Sequence, residues 1–398
     1  MNLPFYLAIK NLTANKKLFL LVVGILAFSF INLSFFNSLN NGIRDVTNSK
    51  LIDYTFADLN ILPLENENYI YDSKNTLKKI RGLNFVKSAT ERLSFQGSIA
   101  YEDQTFLPVF LGIDIDNEAL VSKLHTSVKQ GSFLGRESTN QIVLGDEIIG
   151  NLDGSKGTTG FKTIDAGVGD DITIFFKNGK IEDFRVTGIT DTLFWVPDFY
   201  AITSILYIRE ILNLSENTAS EILIKLNSGV DKQYAKTQLI NLGLSGQVKD
   251  SLNELSLAET ILESQRVTTL LANIIGIFST FVVIFIIIYI NVNQKKKQLS
   301  LLKAVGIQEK IIIKSYLFLS LFYAIAGIIF GLIGLTLIVL FLKSNPIKLP
   351  MGYFYPQFTL IEVIFSSTII IISSLIGGFV ASYRTIKTNI VEVLRGIK

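Results

Sequence analysis

Few residues in this chain have the type and spacing for chemistry. Gly150 to Lys156, GNLDGSK, has the glycines and lysine of a phosphate loop. Such a loop needs a glycine directly before the lysine, so that backbone N–H groups can cradle phosphates while the lysine reaches the outermost one. Ser155 occupies that position and Gly157 follows Lys156, so no nucleotide site is expected. There is one histidine, His125, and no cysteine. That excludes disulfides, thiolate catalysis and a zinc site built from clustered His and Cys. His125, in ALVSKLHTSVKQG, reads as a surface or turn residue. Asp114, Asp116, Asp170 and Asp171 could supply carboxylates for acid–base work or for a hard cation, but none has the spacing of a calcium loop. Turns explain these acids more economically. Without a serine elbow, an HExxH or a second histidine, the chain is expected to be noncatalytic and to bind no metal.

The elements around these residues are more telling. Of 398 residues, 49% are hydrophobic and only 18% charged, and the apolar residues are clustered. Four runs can cross about 30 Å of hydrocarbon at about 1.5 Å per residue: 18–39, 268–292, 315–342 and 359–382. The first resembles a signal peptide but is too long and lacks a clean cleavage site, so it reads as a retained span. The spans are almost free of ionisable groups, Glu362 lying near an outer end. That argues against ion conduction, proton relay and passage of a polar substrate through the bundle.

Lysine placement orients the spans. Lys10, Lys16 and Lys17 precede the first, six lysines against Glu309 follow the second, and Arg384, Lys387, Arg395 and Lys398 against Glu392 follow the fourth. Segments 1–17, 293–314 and 383–398 are then cytoplasmic, and 40–267 and the loop 343–358 are extracytoplasmic. A cytoplasmic-membrane location follows. The net charge of +3 gives no reason to expect nucleic acid. Residues 1–17 read as an amphipathic helix at the inner interface, with Phe5, Leu7, Ala8, Ile9 and Leu12 on one side and membrane lipids as neighbours.

Within 40–267, alternation marks strands at DLNILPL, PVFLGID, DITIFF, DFRVTGI and EILIKLN, with a helix from Val230. The fold class is therefore a membrane protein with four transmembrane helices, a preceding amphipathic helix, and a large α+β extracytoplasmic domain between helices one and two. Two lobes are expected, one of them inserted at about 104–197. The stretch SLNELSLAETILESQRV reads as a helix running on into the second span.

Two further patterns concern contact. Gly327, Gly331 and Gly334 in the third span, and Ser374 and Gly378 in the fourth, have the small-residue spacing of close helix packing, within a subunit or between copies. In the cytoplasmic loop, Leu299, Leu301, Leu302, Ala304, Val305 and Ile307 punctuate a lysine-rich segment that includes Lys303, and Gly306 can end a short helix. The result is an apolar knob with a basic rim, suited to the cleft of a soluble partner.

Three stretches together are similar to the FtsX-like permease subunits of type VII ABC transporters, the group containing MacB and LolC/LolE. They are FYLAIKNLTANKKLFLLVVGILA, KKKQLSLLKAVGIQEKIIIKSYLF and GGFVASYRTIKTNIVEVLRG. The outer stretches IVLGDEIIGNL, GVGDDITIFF and FRVTGI also fit that group's extracytoplasmic domain. The resemblance covers essentially the whole chain. It implies two permease copies, a homodimer before a heterodimer, carrying a separate cytoplasmic ABC ATPase dimer. ATP and magnesium would belong to that ATPase, with no cofactor on this chain. The coupling helix carries over onto 301–306, and Glu392, Leu394 and Arg395 onto a tail contact. Export, or handling of lipoprotein, lipid or peptide with an outer adaptor or substrate protein, is the implied work. The alternative is a scaffold activating a cell-wall hydrolase. The sequence departs from the group at Gln298, where an acid is usual, in KSYLFLSLF, which lacks an early glutamate, and at Ile390 in place of proline.

Overall fold

The computed structural model describes residues 3–14, 16–136, 138–149, 163–244, 246–251, 256–345, 347–349, 352–354, 356, 357 and 359–386. The stretch Gly150–Lys156 and the tail residues Glu392, Leu394 and Arg395 lie outside them. The chain forms two compact units. One comprises Met1–Arg44, Glu263–Ile347 and Phe354–Lys398; the other comprises Asp45–Leu262 and Lys348–Tyr353.

The first unit is helical. Its elements are α1 (Leu3–Ala14), α2 (Lys16–Lys50), α9 (Ser256–Gln294), α10 (Lys296–Ala304), α11 (Glu309–Ser344) and α12 (Leu360–Ile386), with parts of α2 and α9 assigned to the other unit. Among the described residues, four helical stretches are long and apolar enough to cross a membrane: Lys16–Phe56, Arg266–Gln294, Glu309–Ser344 and Leu360–Arg384. They contain the first three expected spans and all of the fourth but Thr359, and the helices of the first and third are markedly longer. No proline interrupts the polar continuation after Leu39, so α2 runs to Lys50 and a π-helix carries it through Leu51–Phe56. The outer unit accordingly begins at Asp45 rather than at residue 40.

Side chains such as Ile274, Ile275, Phe278, Phe330, Leu337 and Ile361 point outward, as a lipid-facing surface requires. Inside, Val22, Val23 and Leu26 of α2 pack with Ile284 and Ile288 of α9 and with Tyr316, Leu319 and Tyr323 of α11. Small residues set the approach. A Cβ on Gly327 would lie 2.6 Å from Leu26 Cβ, and one on Gly331 would lie 2.7 Å from Phe30 Cδ1 and 3.1 Å from the Ala27 carbonyl. A Cβ on Gly334 would meet Ile31 at 2.7 Å. The glycines of α11 therefore sit against α2 of the same chain. Ser374 Oγ of α12 donates to the Ser320 carbonyl at 2.9 Å, and a Cβ on Gly378 would crowd Ser320 Oγ at 2.7 Å.

The outer unit carries strands β1 (Leu59–Leu62), β2 (Val86–Phe95), β3 (Gly97–Tyr101), β4 (Gln104–Phe106), β5 (Val109–Ile113), β6 (Val128–Gly131), β7 (Gln141–Gly145), β8 (Asp171–Phe176), β9 (Ile181–Thr190), β10 (Tyr200–Ser204), β11 (Glu221–Leu226) and β12 (Gln247–Asp250). Its helices are α3 (Ser73–Arg81), α4 (Ile115–Val121), α5 (Asp146–Ile149), α6 (Trp195–Asp198), α7 (Ile205–Leu212) and α8 (Lys232–Asn241). The strands form one sheet in the order β12-β1-β11-β2-β5-β10-β7-β9-β8-β3-β4, with β6 on β9. β5 pairs parallel with β10, and β7 parallel with β9. The expected inserted lobe at about 104–197 does not separate as such. Its strand β5, the apolar run VFLGI, is buried between β2 and β10 in mid-sheet and makes the two parts continuous.

Arg92 on β2 organises the start of this unit. Its guanidinium contacts Glu118 of α4 at 2.6 Å, donates to the Thr55 carbonyl of the π-helix at 2.6 Å, and lies 3.8 Å from Glu221 of β11. Burial works against its charge, but Glu118 and Glu221 more than offset that and raise its pKa. Lys123 adds an ion pair to Asp53 at 2.7 Å, and Ser251 Oγ donates to the Phe56 carbonyl at 3.1 Å. The end of the first long helix is thus pinned to the sheet by charge-assisted bonds.

Asp198 makes a second buried polar centre. It accepts from the Thr192 backbone at 2.8 Å, the Thr192 hydroxyl at 2.9 Å and the Phe194 backbone at 3.2 Å, while the Lys50 ammonium donates to the Thr192 carbonyl. Burial pushes the Asp198 carboxyl from 3.8 up to about 7, against the pull of its three donors. An acid whose pKa is raised by folding favours the folded state at low pH. That contribution is lost as pH rises from 3.8 through about 7. Outer-domain stability is therefore expected to fall across that window by up to about 1.4 kcal/mol per pH unit. Urea unfolding at stepped pH checks this, with Asp198→Asn flattening the slope.

Candidate functional site

The segment between α9 and α11 folds as α10 with a tight exit. Val305 N–H donates to the Leu301 carbonyl at 3.1 Å, Gly306 to Lys303 at 2.9 Å and Ile307 to Leu302 at 3.1 Å. Gly306 has φ of +95°, a left-handed conformation that a side chain would strain. This turn reverses the chain into α11, with Gln308 at its N-cap position.

The six apolar residues of the segment do not act as one knob. Leu299, Leu302 and Ile307 pack against the core formed by the spanning helices. Leu301 and Val305 point away from it, 57% and 84% exposed. Ala304 lies in the same helix, and its side chain lies outside the described residues. Helical spacing accounts for the division. Leu299 and Leu302 are three apart on one face, and Leu301 and Val305 are four apart on another. Lys303 bonds Glu309 at 2.7 Å, tying α10 to the first turn of α11.

The helix α1 closes the other side. Its Phe5 ring meets Phe318 and Phe322 of α11 at 5.9 and 5.6 Å, and Ala8 is fully buried. Phe5 and Ile9, four residues apart on one face, are each a little over a third exposed. Lys295 donates to Asn11 Oδ1 at 2.5 Å, a contact that no sequence pattern marked. Burial without a nearby acid lowers the Lys295 pKa. Between these elements lies a cavity of about 520 Å³, lined by Leu7, Asn11, Leu302, Ile312 and Tyr316 among others. The arrangement presents a rigid, basic, two-residue apolar tip.

The outer residues singled out for chemistry are dispersed. His125 lies in a short 3-10 turn. Asp114 caps α4 by accepting from Asn117, and Asp116 pairs with Arg136 at 2.6 Å. Asp170 accepts from Gly167 N–H and the Tyr101 hydroxyl, which hold its pKa below the usual carboxylate value. Asp171 is exposed on β8. Among the described residues, no group of three His, Asp or Glu is placed to hold a metal.

The MacB-like periplasmic core domain matches residues 18–242, and the FtsX-like permease C-terminal domain matches residues 270–390. The chain belongs to the FtsX/MacB-like permease family. The permease is a multi-pass membrane component of an ABC transporter with an extracytoplasmic domain, and family membership implies an ABC ATPase partner. No curated protein matches the permease. Among solved structures, the periplasmic region of MacB from Actinobacillus actinomycetemcomitans is 14% identical, with a TM-score of 0.36 over 52% of the permease and 90% of that chain. The extracellular domain of the noncanonic ABC-type transporter YknZ from Gram-positive bacteria is 13% identical, with a TM-score of 0.34 over 48% of the permease and 97% of that chain. At these scores the likenesses carry no weight in the assignment.

Proposed function

We propose that the permease is a noncatalytic transmitter: a separate cytoplasmic ATPase, holding ATP and magnesium, grips α10 and its motion is passed to the outer domain. The observation that supports this most is the split of the α10 segment. One face is anchored in the span core while Leu301 and Val305 stand free beside lysines. A tip fixed on one side and exposed on the other transfers displacement, whereas a loose loop would absorb it. Two copies of the permease, a homodimer, would face an ATPase dimer. The work is done outside the membrane, on an exported, lipoprotein, lipid or peptide cargo, because the spans hold almost no ionisable group that could serve a polar substrate's passage.

Affinity purification of the full chain from its native membrane tests this reading. Recovery of a separate ABC ATPase is expected, with an outer adaptor or cargo protein as companion. Co-purification of a cell-wall hydrolase instead would move the work to regulation. Repeated recovery without an ATPase, under conditions that keep other membrane complexes whole, would overturn the transmitter reading.

A further inference from the structure

Strands β5 and β10 run parallel, with Ile113 beside Ser204 at their carboxyl ends. Each then feeds a helix, and the two helices leave toward opposite faces of the sheet. Ile205, Ile208 and Ile211 of α7 pack with Phe110, Leu144 and Ala201. Ile115 of α4 packs with Leu111, Val143 and Ile202, the alternate residues of the same strands. Divergence of this kind opens a crevice at the strand ends, the place where open α/β sheets bind ligands. A cleft of about 160 Å³ lies there.

Most charges lining the cleft are already engaged. Arg136 holds Asp116 at 2.6 Å, Asp114 caps α4, and Lys74 holds Glu216 at 2.5 Å. The exception is the buried pair Arg209–Glu91, 2.9 Å apart with side chains 3% and 6% exposed. Arg209 gives Nε and Nη2 to the Thr218 carbonyl, but its Nη1 has no partner, and neither has Glu91 Oε2. A buried donor and a buried acceptor left open are each costly. Here they belong to adjoining groups in one cleft wall. Ser204, at the N-cap position of α7, also makes no side-chain cap bond.

We propose that this cleft binds a small free α-amino acid, its carboxylate on Arg209 Nη1 and its ammonium on Glu91 Oε2. A zwitterion offers acceptor and donor a few bonds apart, as the open pair requires. A simple anion would satisfy Arg209 but face the carboxylates of Glu91, Asp114 and Asp116; a simple amine would meet Arg209, Lys74 and Arg136. The lining balances those three cations against those three acids, so a ligand without net charge fits. The volume suits a single residue and not a longer peptide. The site does not depend on how the ATPase is coupled, and it would let the outer domain respond to a solute.

Isothermal titration of the full chain in nanodiscs tests the site, using each standard L-amino acid singly, with sodium acetate and ethylamine as single-charge controls. At least one amino acid is expected to bind about tenfold or more tightly than either control. Leu206→Trp, at a 62% exposed residue of the lining, should remove binding while leaving the unfolding midpoint unchanged. Glu91→Gln should reduce the preference over acetate by about tenfold. Acetate binding as tightly as every amino acid would overturn the zwitterion assignment. Binding by no amino acid, or undiminished binding by Leu206→Trp, would overturn the site itself.

Discussion

Replacing Arg92 by methionine is expected to destabilise the outer domain by about 3–5 kcal/mol. The substitution keeps most of the volume and removes the charge. Glu118, 1% exposed, then loses its bidentate partner, and Glu221 loses the cation that offsets the effect of burial on it. The Thr55 carbonyl also loses its donor, so the π-helix at the end of α2 is released from the sheet. Glu118→Gln should cost less, because an amide oxygen still accepts from the guanidinium and Glu221 remains as counter-charge. Trp195, the only tryptophan, is packed with Leu51 and Phe194 and reports the transition by fluorescence in denaturant. A loss below about 1 kcal/mol for Arg92→Met would mean that the cluster is effectively solvated and does not pin the helix.

The second large effect is on partner binding. The double substitution Leu301→Asp and Val305→Asp is expected to reduce ATPase recovery on co-purification by about thirtyfold or more, the size of an interface hot spot. Both side chains are exposed, so the melting temperature of the permease should stay within a few degrees of the wild type. Leu302→Asp is a poor substitute, because Leu302 packs against the span core and a carboxylate there would disturb the fold itself. Full ATPase recovery with the double variant would remove α10 from the coupling role. Loss of recovery together with loss of thermal stability would show that the pair is structural.

The sequence made the spans and several strands legible for simple physical reasons. Long uncharged runs have few alternatives, and β1, β5, β8, β9 and β11 combine alternation with β-branched residues. β2 was not legible. Its sequence VKSATERLSF carries Glu91 and Arg92, two charges that are buried against Arg209 and Glu118. Buried ion pairs imitate a surface in sequence because the partner sits on another element. β10, YAITS, is short and fully buried, and shows no alternation. The expected lobe boundary went wrong at the same place, since β5 and β10 join what appeared as separate segments. In the α10 segment, composition marked a cluster of apolar residues but not its division. Only the three- and four-residue spacings separate anchored from exposed residues, and they were there to be read. The cleft around Arg209 and Glu91 had no sequence signal, because two strands and two helices far apart in the chain bring its parts together.

The sheet order has a consequence for biogenesis. β2 pairs with β11, Arg92 opposite Glu221, and β1 pairs with β12, Leu59 opposite Asp250. The parallel partner of β5 comes from β10, which is made much later. Hairpin zipping cannot assemble such a sheet, and contacts this distant in sequence slow folding. During secretion, the strands made first must wait on the outer face with open edges until the segment ending at Asp250 has crossed. That interval exposes apolar strand to its neighbours, and it is when the nascent domain most needs a chaperone.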